Sequence, residues 1–180
     1  DPDEVLHKVT LSKPFYISKY PITFEQYDKF CEATGREKPK DFNWGRGKRP
    51  VVDVSWNDAQ AFCEWAGCRL VTEAEWEYAC RAGTTTPFST GDNITTDQAN
   101  YDGSAPYKDY PEGVYRGRTT EVDELDNENA WGVCDMHGNI YEWCADVYDA
   151  YPSDPVADPK GPESGNEMVL RGGSWGHDAR

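Results

Sequence analysis

The amino-acid sequence predicts one mixed α+β domain with three short helices, few irregular strands and long loops. Three observations carry that reading. Thr23, Ser55 and Thr72 are each followed three residues on by Gln26, Asp58 and Glu75, and apolar residues then recur at helical steps. Strand-like patterns are confined to short runs towards the two ends. A chain of 180 residues and 20.3 kDa fits a single hydrophobic core.

The elements follow in order. Val9 and Leu11 alternate with polar neighbours, as do Phe15 and Ile17, and Ser12-Lys13-Pro14 lies between them. That pattern predicts a hairpin. The first helix opens at Thr23, where Gln26 completes a capping box and Ile22 can staple onto Tyr27. Phe24, Tyr27, Phe30 and Cys31 share one face, and Gly35 is the stop. A second helix runs from Ser55 through Trp56, Ala59, Phe62, Cys63 and Ala66 to Gly67. A third runs from Thr72 through Trp76, Ala79 and Cys80 to Gly83, with Val71 placed to staple onto Trp76. Only Cys68-Arg69-Leu70 separates these two helices beyond the caps, so they turn sharply on one another.

From Thr84 to Asn129 no period lasts. This stretch of roughly 45 residues far exceeds the ~15 at which a structureless loop becomes unusual. It reads either as a folded-down functional loop, held by a metal, or as a solvated insertion. Order returns at Ala130-Trp131-Gly132-Val133 and through Asn139 to Cys144, and Met168-Val169-Leu170-Arg171 reads as a short strand. No repeat and no second domain is expected within 1–180. From the abrupt opening at Asp1 without a Met and the stop at Arg180, the chain is expected to be an excerpt, truncated at both ends.

The formal charge of −15 repels phosphate backbones, which argues against nucleic acid as a partner. Calcium, a cationic ligand or a basic peptide suits the sign. Seven Trp, eleven Tyr and six Phe supply enough buried area for a globular fold rather than an acidic disordered one. No apolar run approaches the ~20 residues of a membrane span. The six cysteines include no Cys-x-x-Cys pair, which disfavours zinc. They read as buried free thiols, or as disulfides if the parent protein is exported. The compartment stays open.

The segment Asp135-Met136-His137-Gly138-Asn139-Ile140-Tyr141-Glu142 has the best ingredients for a site. Carboxylates flank a turn-permitting Gly and inward-facing carbonyls, a hard-oxygen set that suits Ca²⁺. The spacing is not that of an EF-hand, and on spacing alone a capped turn with solvated acids is the simpler reading. No nucleophile–base pair accompanies His7, His137 or His177. Gly172-Gly173-Ser174-Trp175 lacks the Lys of a phosphate loop, so close backbone packing around Trp175 is expected instead. Trp56, Trp65, Trp76, Trp131, Trp143 and Trp175 could line a groove, but helical periodicity assigns at least Trp56 and Trp76 to the core. Lys38, Lys40, Arg46, Lys48 and Arg49 form a local basic patch, expected to be a solvated loop.

Several strings then stand in a familiar order. They are Phe15-Tyr16-Ile17-Ser18-Lys19-Tyr20-Pro21-Ile22-Thr23, Pro50-Val51-Val52-Asp53-Val54-Ser55-Trp56 and Arg69-Leu70-Val71-Thr72-Glu73-Ala74-Glu75-Trp76-Glu77-Tyr78-Ala79. Ala130-Trp131-Gly132, Asp135 through Trp143, and Leu170-Arg171-Gly172-Gly173-Ser174-Trp175 complete the series. Over nearly its whole length the chain resembles the sulfatase-modifying-factor domain of formylglycine-generating enzymes.

The resemblance implies a C-type-lectin-like α+β fold. It also implies calcium, bound by the side chains of Asp135 and Glu142 and the carbonyls of Gly138 and Ile140. A second calcium site would begin at Asn100 and the carbonyl of Tyr101, with further ligands near Val114 to Arg116, where no matching Asp occurs. Members of this family oxidise a cysteine within Cys-x-Pro-x-Arg to formylglycine, using oxygen and copper(I) held by two cysteines. Here His177 stands at the first of those positions, and the second falls past Arg180, so copper(I) requires cysteines from outside this sequence. Cys63 and Cys80 match family cysteines that form disulfides in exported members, with partners also past Arg180. The expected function is a non-catalytic, calcium-stabilised binding or accessory scaffold for a protein or peptide ligand. The rival expectations are an active copper oxidase or iron-dependent sulfoxide synthase, and a retroelement-diversified variable protein with ligand contacts after Gly-Gly-Ser-Trp.

Overall fold

The computed structural model describes residues 6–179. Each helix begins where its capping box places it: α1 spans Phe24–Thr34, α2 spans Trp56–Ala66 and α3 spans Glu73–Arg81. At Thr23, Ser55 and Thr72 the hydroxyl accepts from the third backbone N–H, and the side chain there returns the bond to the cap's own N–H. Each box offsets two orphan donors and stabilises its helix by about 1 kcal/mol. Gly35 and Gly67 end α1 and α2 at φ +72°; α3 ends one residue earlier than expected, because Ala82 itself takes the left-handed cap.

The helices α1 and α2 enclose one core cluster, in which Phe24, Tyr27, Phe30 and Cys31 meet Phe62, Cys63 and Val51. Tyr27 stacks on Phe62 at 5.4 Å, and Phe30 meets Phe62 edge-on at 5.7 Å. A second cluster joins Trp76, Ala79 and Cys80 of α3 to Cys144 and Val169, with Val133 and Met136. Those last strand residues belong to β2 (Glu142–Val147) and β4 (Met168–Arg171), which pair antiparallel with an irregularity between Trp143 and Val147.

The expected N-terminal hairpin does not form. Strand β1 (Val9–Thr10) pairs in parallel with β3 (Val156–Ala157), far along the chain. Asp158 carboxylate oxygens accept from the Ser12 backbone N–H at 2.7 Å and from the Ser12 hydroxyl. The turn-like Ser-Lys-Pro therefore carries the chain away from β1 rather than back onto it. Segment 84–129 folds down around a third apolar cluster of Phe88, Ile94, Ala99, Tyr101 and Ala179. It is an irregular loop with a core of its own, not a solvated insertion.

The basic patch is solvated, with Lys38, Lys40 and Lys48 exposed, but four of its five side chains are also tied down. Arg46 forks onto both oxygens of Asp28 and lies 4.3 Å over the Phe24 ring. Lys38 pairs with Glu32 and Asp28, Lys48 with Asp123, and Arg49 donates to the Thr119 carbonyl. These contacts tie α1 and its following loop to the irregular segment. All six cysteines are free thiols; five are buried, and Cys68 is exposed.

Candidate functional site

Segment 135–142 is a chain of tight turns. Asp135, Gly138 and Asn139 adopt φ of +59°, +80° and +64°. Such a run of left-handed residues is costly and persists only when neighbours fix it. Here they do. The Gly138 N–H donates to Gly172 O at 2.6 Å, the Asn139 N–H to Asn100 O at 2.7 Å, and the Trp175 N–H to Asn139 O at 3.1 Å. The loop is thus stitched on one side to the 100 segment and on the other to the Gly172–Trp175 turn. Gly172 packs on Trp76, not on Trp175 as the sequence suggested: a Cβ there would lie 3.4 Å from Trp76 Cζ2 and 3.5 Å from Ile140 O.

The two acids at the ends of this loop face inward. Asp135 is 3% exposed; its Oδ1 accepts from Asn127 Nδ2 at 2.7 Å, while its buried Oδ2 has no hydrogen-bond partner. Glu142 is half-buried as a residue, but its carboxylate lies on the inner side and accepts from Trp76 Nε1 at 3.0 Å. Burial pushes the Asp135 carboxyl up to about 6, against the lowering effect of Asn127, with Asp123 and Glu124 adding repulsion. Burial likewise pushes Glu142 up to about 7, with the Asp135 charge adding to it. A buried carboxylate oxygen without a donor, beside a second raised carboxyl, is the arrangement that a hard cation relieves. The carbonyls of Gly138 and Ile140 belong to the same loop. The donor chemistry therefore fits calcium.

Both carboxyls are held above their unfolded values. Ionising them costs the folded chain stability, so that contribution is present at low pH and lost as pH rises from about 4 to about 7. Full loss amounts to about 3 kcal/mol per group. Asp135→Asn with Glu142→Gln should therefore flatten the fall in melting temperature of the chelator-treated chain across that window. An unchanged slope would show that these carboxyls do not titrate there.

Next to the loop opens a cleft of about 280 Å³, lined by Tyr20, Asp123, Glu124, Asp126, Asn127, Glu128 and Cys134 among others. Lys48 and Lys19 pair with Asp123 and Glu128, and the remaining acids keep the approach negative. Asn127, which lines this cleft and holds Asp135, was missed by the sequence reading. Asn139 was missed too: it is fully buried, and its Oδ1 accepts from Asn100 Nδ2 at 3.1 Å and from the Thr120 N–H at 2.9 Å. The only advance signal was an Asn directly after a Gly, a residue type that tolerates positive φ.

Asn100 is fully buried, and its Oδ1 has no hydrogen-bond partner. Its Nδ2 donates to Arg118 O, so the chain beside it is 118–120. Val114 and Arg116 reach instead to Thr96. The Tyr101 ring is buried, with its hydroxyl on Ile94 O. The orphaned Asn100 oxygen fits a cation or water ligand, but no carboxylate joins it in the contacts above.

Around the Gly172–Trp175 turn the surface is aromatic. Trp175 meets Trp44 edge-on at 5.1 Å and stacks with Tyr115 at 6.2 Å, and Trp44 in turn touches Phe42 at 5.4 Å. Phe42 and Tyr115 are about half exposed, and Phe42 holds φ +53° in doing so. Tyr141 and His177 meet edge-on at 5.1 Å beside this ledge. Of the six tryptophans considered for a groove, only Trp175 belongs to it. Trp56, Trp76 and Trp143 use their ring N–H on Cys144 O, Glu142 and Val54 O, while Trp65 and Trp131 pack against other rings elsewhere.

His177 is exposed, its Nδ1 bonded to Ser174 Oγ at 2.7 Å. One imidazole and a hydroxyl do not make the pair of thiolates that copper(I) selects. The residues present at this position do not fit that metal. Among the described residues no cluster of three or more His, Cys, Asp or Glu is placed to hold a metal, and no helix is long and apolar enough to cross a membrane.

A family model described as the sulfatase-modifying factor enzyme 1-like domain matches residues 1–180. The serine/threonine-protein kinase pkn1 of Chlamydia pneumoniae is 34% identical over 94% of this chain and 29% of its own length. The formylglycine-generating enzyme of Mus musculus is 40% identical over 72% of this chain and 36% of its own length. The chain thus spans about a third of the curated relatives it matches. Treponema denticola variable protein 1 superposes with a TM-score of 0.67 at 26% identity, covering 87% of this chain and 71% of that one. The three capped helices, the stitched 135–142 loop and the matches together place this chain in the sulfatase-modifying-factor family.

Proposed function

We propose that this domain is a calcium-braced binding scaffold and not a copper oxidase. The observation that carries the reading is the direct tie between loop and ledge: Trp175, at the centre of the exposed aromatic surface, hangs by its backbone from Asn139 of the candidate calcium loop. A cation held between Asp135 and Glu142 would fix that loop and, through it, the ledge. The flat aromatic faces and the chain's −15 charge suit a protein or peptide ligand bearing cationic side chains. Two further points support an accessory role. On the resemblance, His177 stands where the oxidase has its first copper cysteine. A relative matched over 94% of this chain is named a kinase, in which the matching region is a 29% portion.

Calcium is tested by melting the chelator-treated chain with and without added Ca²⁺. At a hundredfold excess over Kd the shift should be about 5–10 °C, the equivalent of about 2.7 kcal/mol. Asp135→Ala with Glu142→Ala should abolish it; an unchanged shift in that variant would remove the site, as would a flat calorimetric calcium titration of the unaltered chain. The non-catalytic part is tested by incubating the full-length parent with copper and a Cys-x-Pro-x-Arg peptide. Formylglycine produced at enzymatic turnover would establish the oxidase instead, a reading favoured by the 40% identity to the Mus musculus enzyme.

A further inference from the structure

Helix α2 ends in Cys63-Glu64-Trp65-Ala66-Gly67-Cys68. Gly67 takes φ +72°, and its N–H reaches the carbonyls of Cys63 and Glu64. The Cys68 N–H then bonds Cys63 O at 2.9 Å. This is the six-to-one bond of a Schellman ending, which sets the side chains at its two ends against one another. Such a contact is commonly apolar. Here the residues at its two ends are both cysteines.

Bond lengths across that single backbone hydrogen bond hold the two α-carbons no more than about 6.8 Å apart, inside the span of a disulfide. The two sulfurs differ in access. Cys63 is 8% exposed and packs in the α1–α2 core, whereas Cys68 is exposed. Arg69 follows directly and forks onto Glu75 of the α3 capping box at 2.7 Å through both terminal nitrogens. The thiol pair therefore sits at the corner that orients α3.

We propose that Cys63 and Cys68 form a dithiol site that exchanges with low-molecular-weight disulfides, closing a Cys63–Cys68 bridge at the end of α2. Cys68, the exposed sulfur, attacks as its thiolate. The external S–S bond breaks, one thiolate leaves and takes a proton from water, and a mixed disulfide remains on Cys68. Cys63 gives its proton to water, its sulfur attacks Cys68 Sγ, and the second external thiol leaves. Two electrons pass from the cysteine pair to the external disulfide, which departs as two thiols. Burial, with Cys68 and then Glu64 adding to it, pushes the Cys63 thiol up to about 12, so Cys63 resolves rather than initiates. Closure pins the last turn of α2 and the Arg69–Glu75 clamp beyond it, and a reducing thiol reopens it.

The test is to equilibrate the intact chain with stepped ratios of oxidised to reduced glutathione, then trap, unfold, alkylate and map the tryptic peptides. The peptide from Arg49 to Arg69 contains Cys63 and Cys68 and no other cysteine, because trypsin spares the Arg49–Pro50 bond. It should lose two hydrogens as one internal bridge, while Cys31, Cys80, Cys134 and Cys144 remain alkylatable. Cys63→Ser should instead accumulate one glutathione on Cys68. If that variant does not fold, the map of the unaltered chain still decides. Glutathione retained on Cys68 of the unaltered chain without closure would overturn the proposal, as would a bridge to another cysteine or no reaction at all.

Discussion

Gly138→Ala should destabilise the chain by about 3–5 kcal/mol, lowering its melting temperature by roughly 10 °C or more. Gly138 sits at φ +80°, and a Cβ there would drive into the Asn100 carbonyl oxygen and lie 3.0 Å from the Asn100 carbonyl carbon. The obstacle is backbone, which cannot rotate away. Residues 138 and 100 form a parallel bridge, and the neighbouring bonds Gly138 N–H to Gly172 O and Asn139 N–H to Asn100 O lock both sides. A methyl group must therefore break one of these bonds or displace the 100 segment. Gly35→Ala is the control: it shares a left-handed φ of +72° but has nothing within 4 Å. Its cost should stay near the ~1 kcal/mol of the conformational penalty alone. Urea unfolding of the two variants checks the contrast, and equal midpoints would refute the steric account.

Trp76→Ala should cost about 3–5 kcal/mol. The ring is 3% exposed, packs with Ala79, Cys80, Val133, Met136, Cys144 and Val169, and carries the Arg171 guanidinium 5.1 Å over its face. Its ring N–H also serves the buried carboxylate of Glu142, so the truncation strips a buried acceptor as well as opening a cavity. Trp76→Phe separates the two contributions. It keeps most of the volume and removes the donor, and should cost about 1–3 kcal/mol in the metal-free chain. Denaturant midpoints at constant m-value provide the measurement. A Phe variant as stable as the original would show that the hydrogen bond to Glu142 contributes nothing.

The three helices were legible because everything that defines them is local. Thr23, Ser55 and Thr72 reach backbone donors three residues away, and the apolar steps behind them need no distant partner to be read. The hairpin failed for the converse reason. Strand pairing is a choice among all available edges, and Val9–Thr10 found Val156–Ala157 rather than the neighbouring alternation at Phe15–Ile17. Asp135 and Glu142 could be named from their position around Gly138, but spacing alone could not separate a capped turn with solvated acids from an inward-facing pair. Burial of the orphaned Asp135 oxygen makes that distinction.

The sequence by itself determined the helices, their caps, the acidic surface, the family and the acids that flank the turn, because each of these is written in adjacent residues or in an ordered series of them. Tertiary structure alone decided that Asn127, Asn139 and Trp76 hold the loop, that Trp44, Tyr115 and Trp175 meet in one ledge, and that Lys38, Arg46, Lys48 and Arg49 after α1 are paired. Apart from the Asn127–Asp135 bond, which spans eight residues, and the local Lys38–Glu32 pair, those contacts join segments far apart along the chain. No periodicity records them, because their free energy appears only when the irregular segment folds down and excludes water from both sides at once.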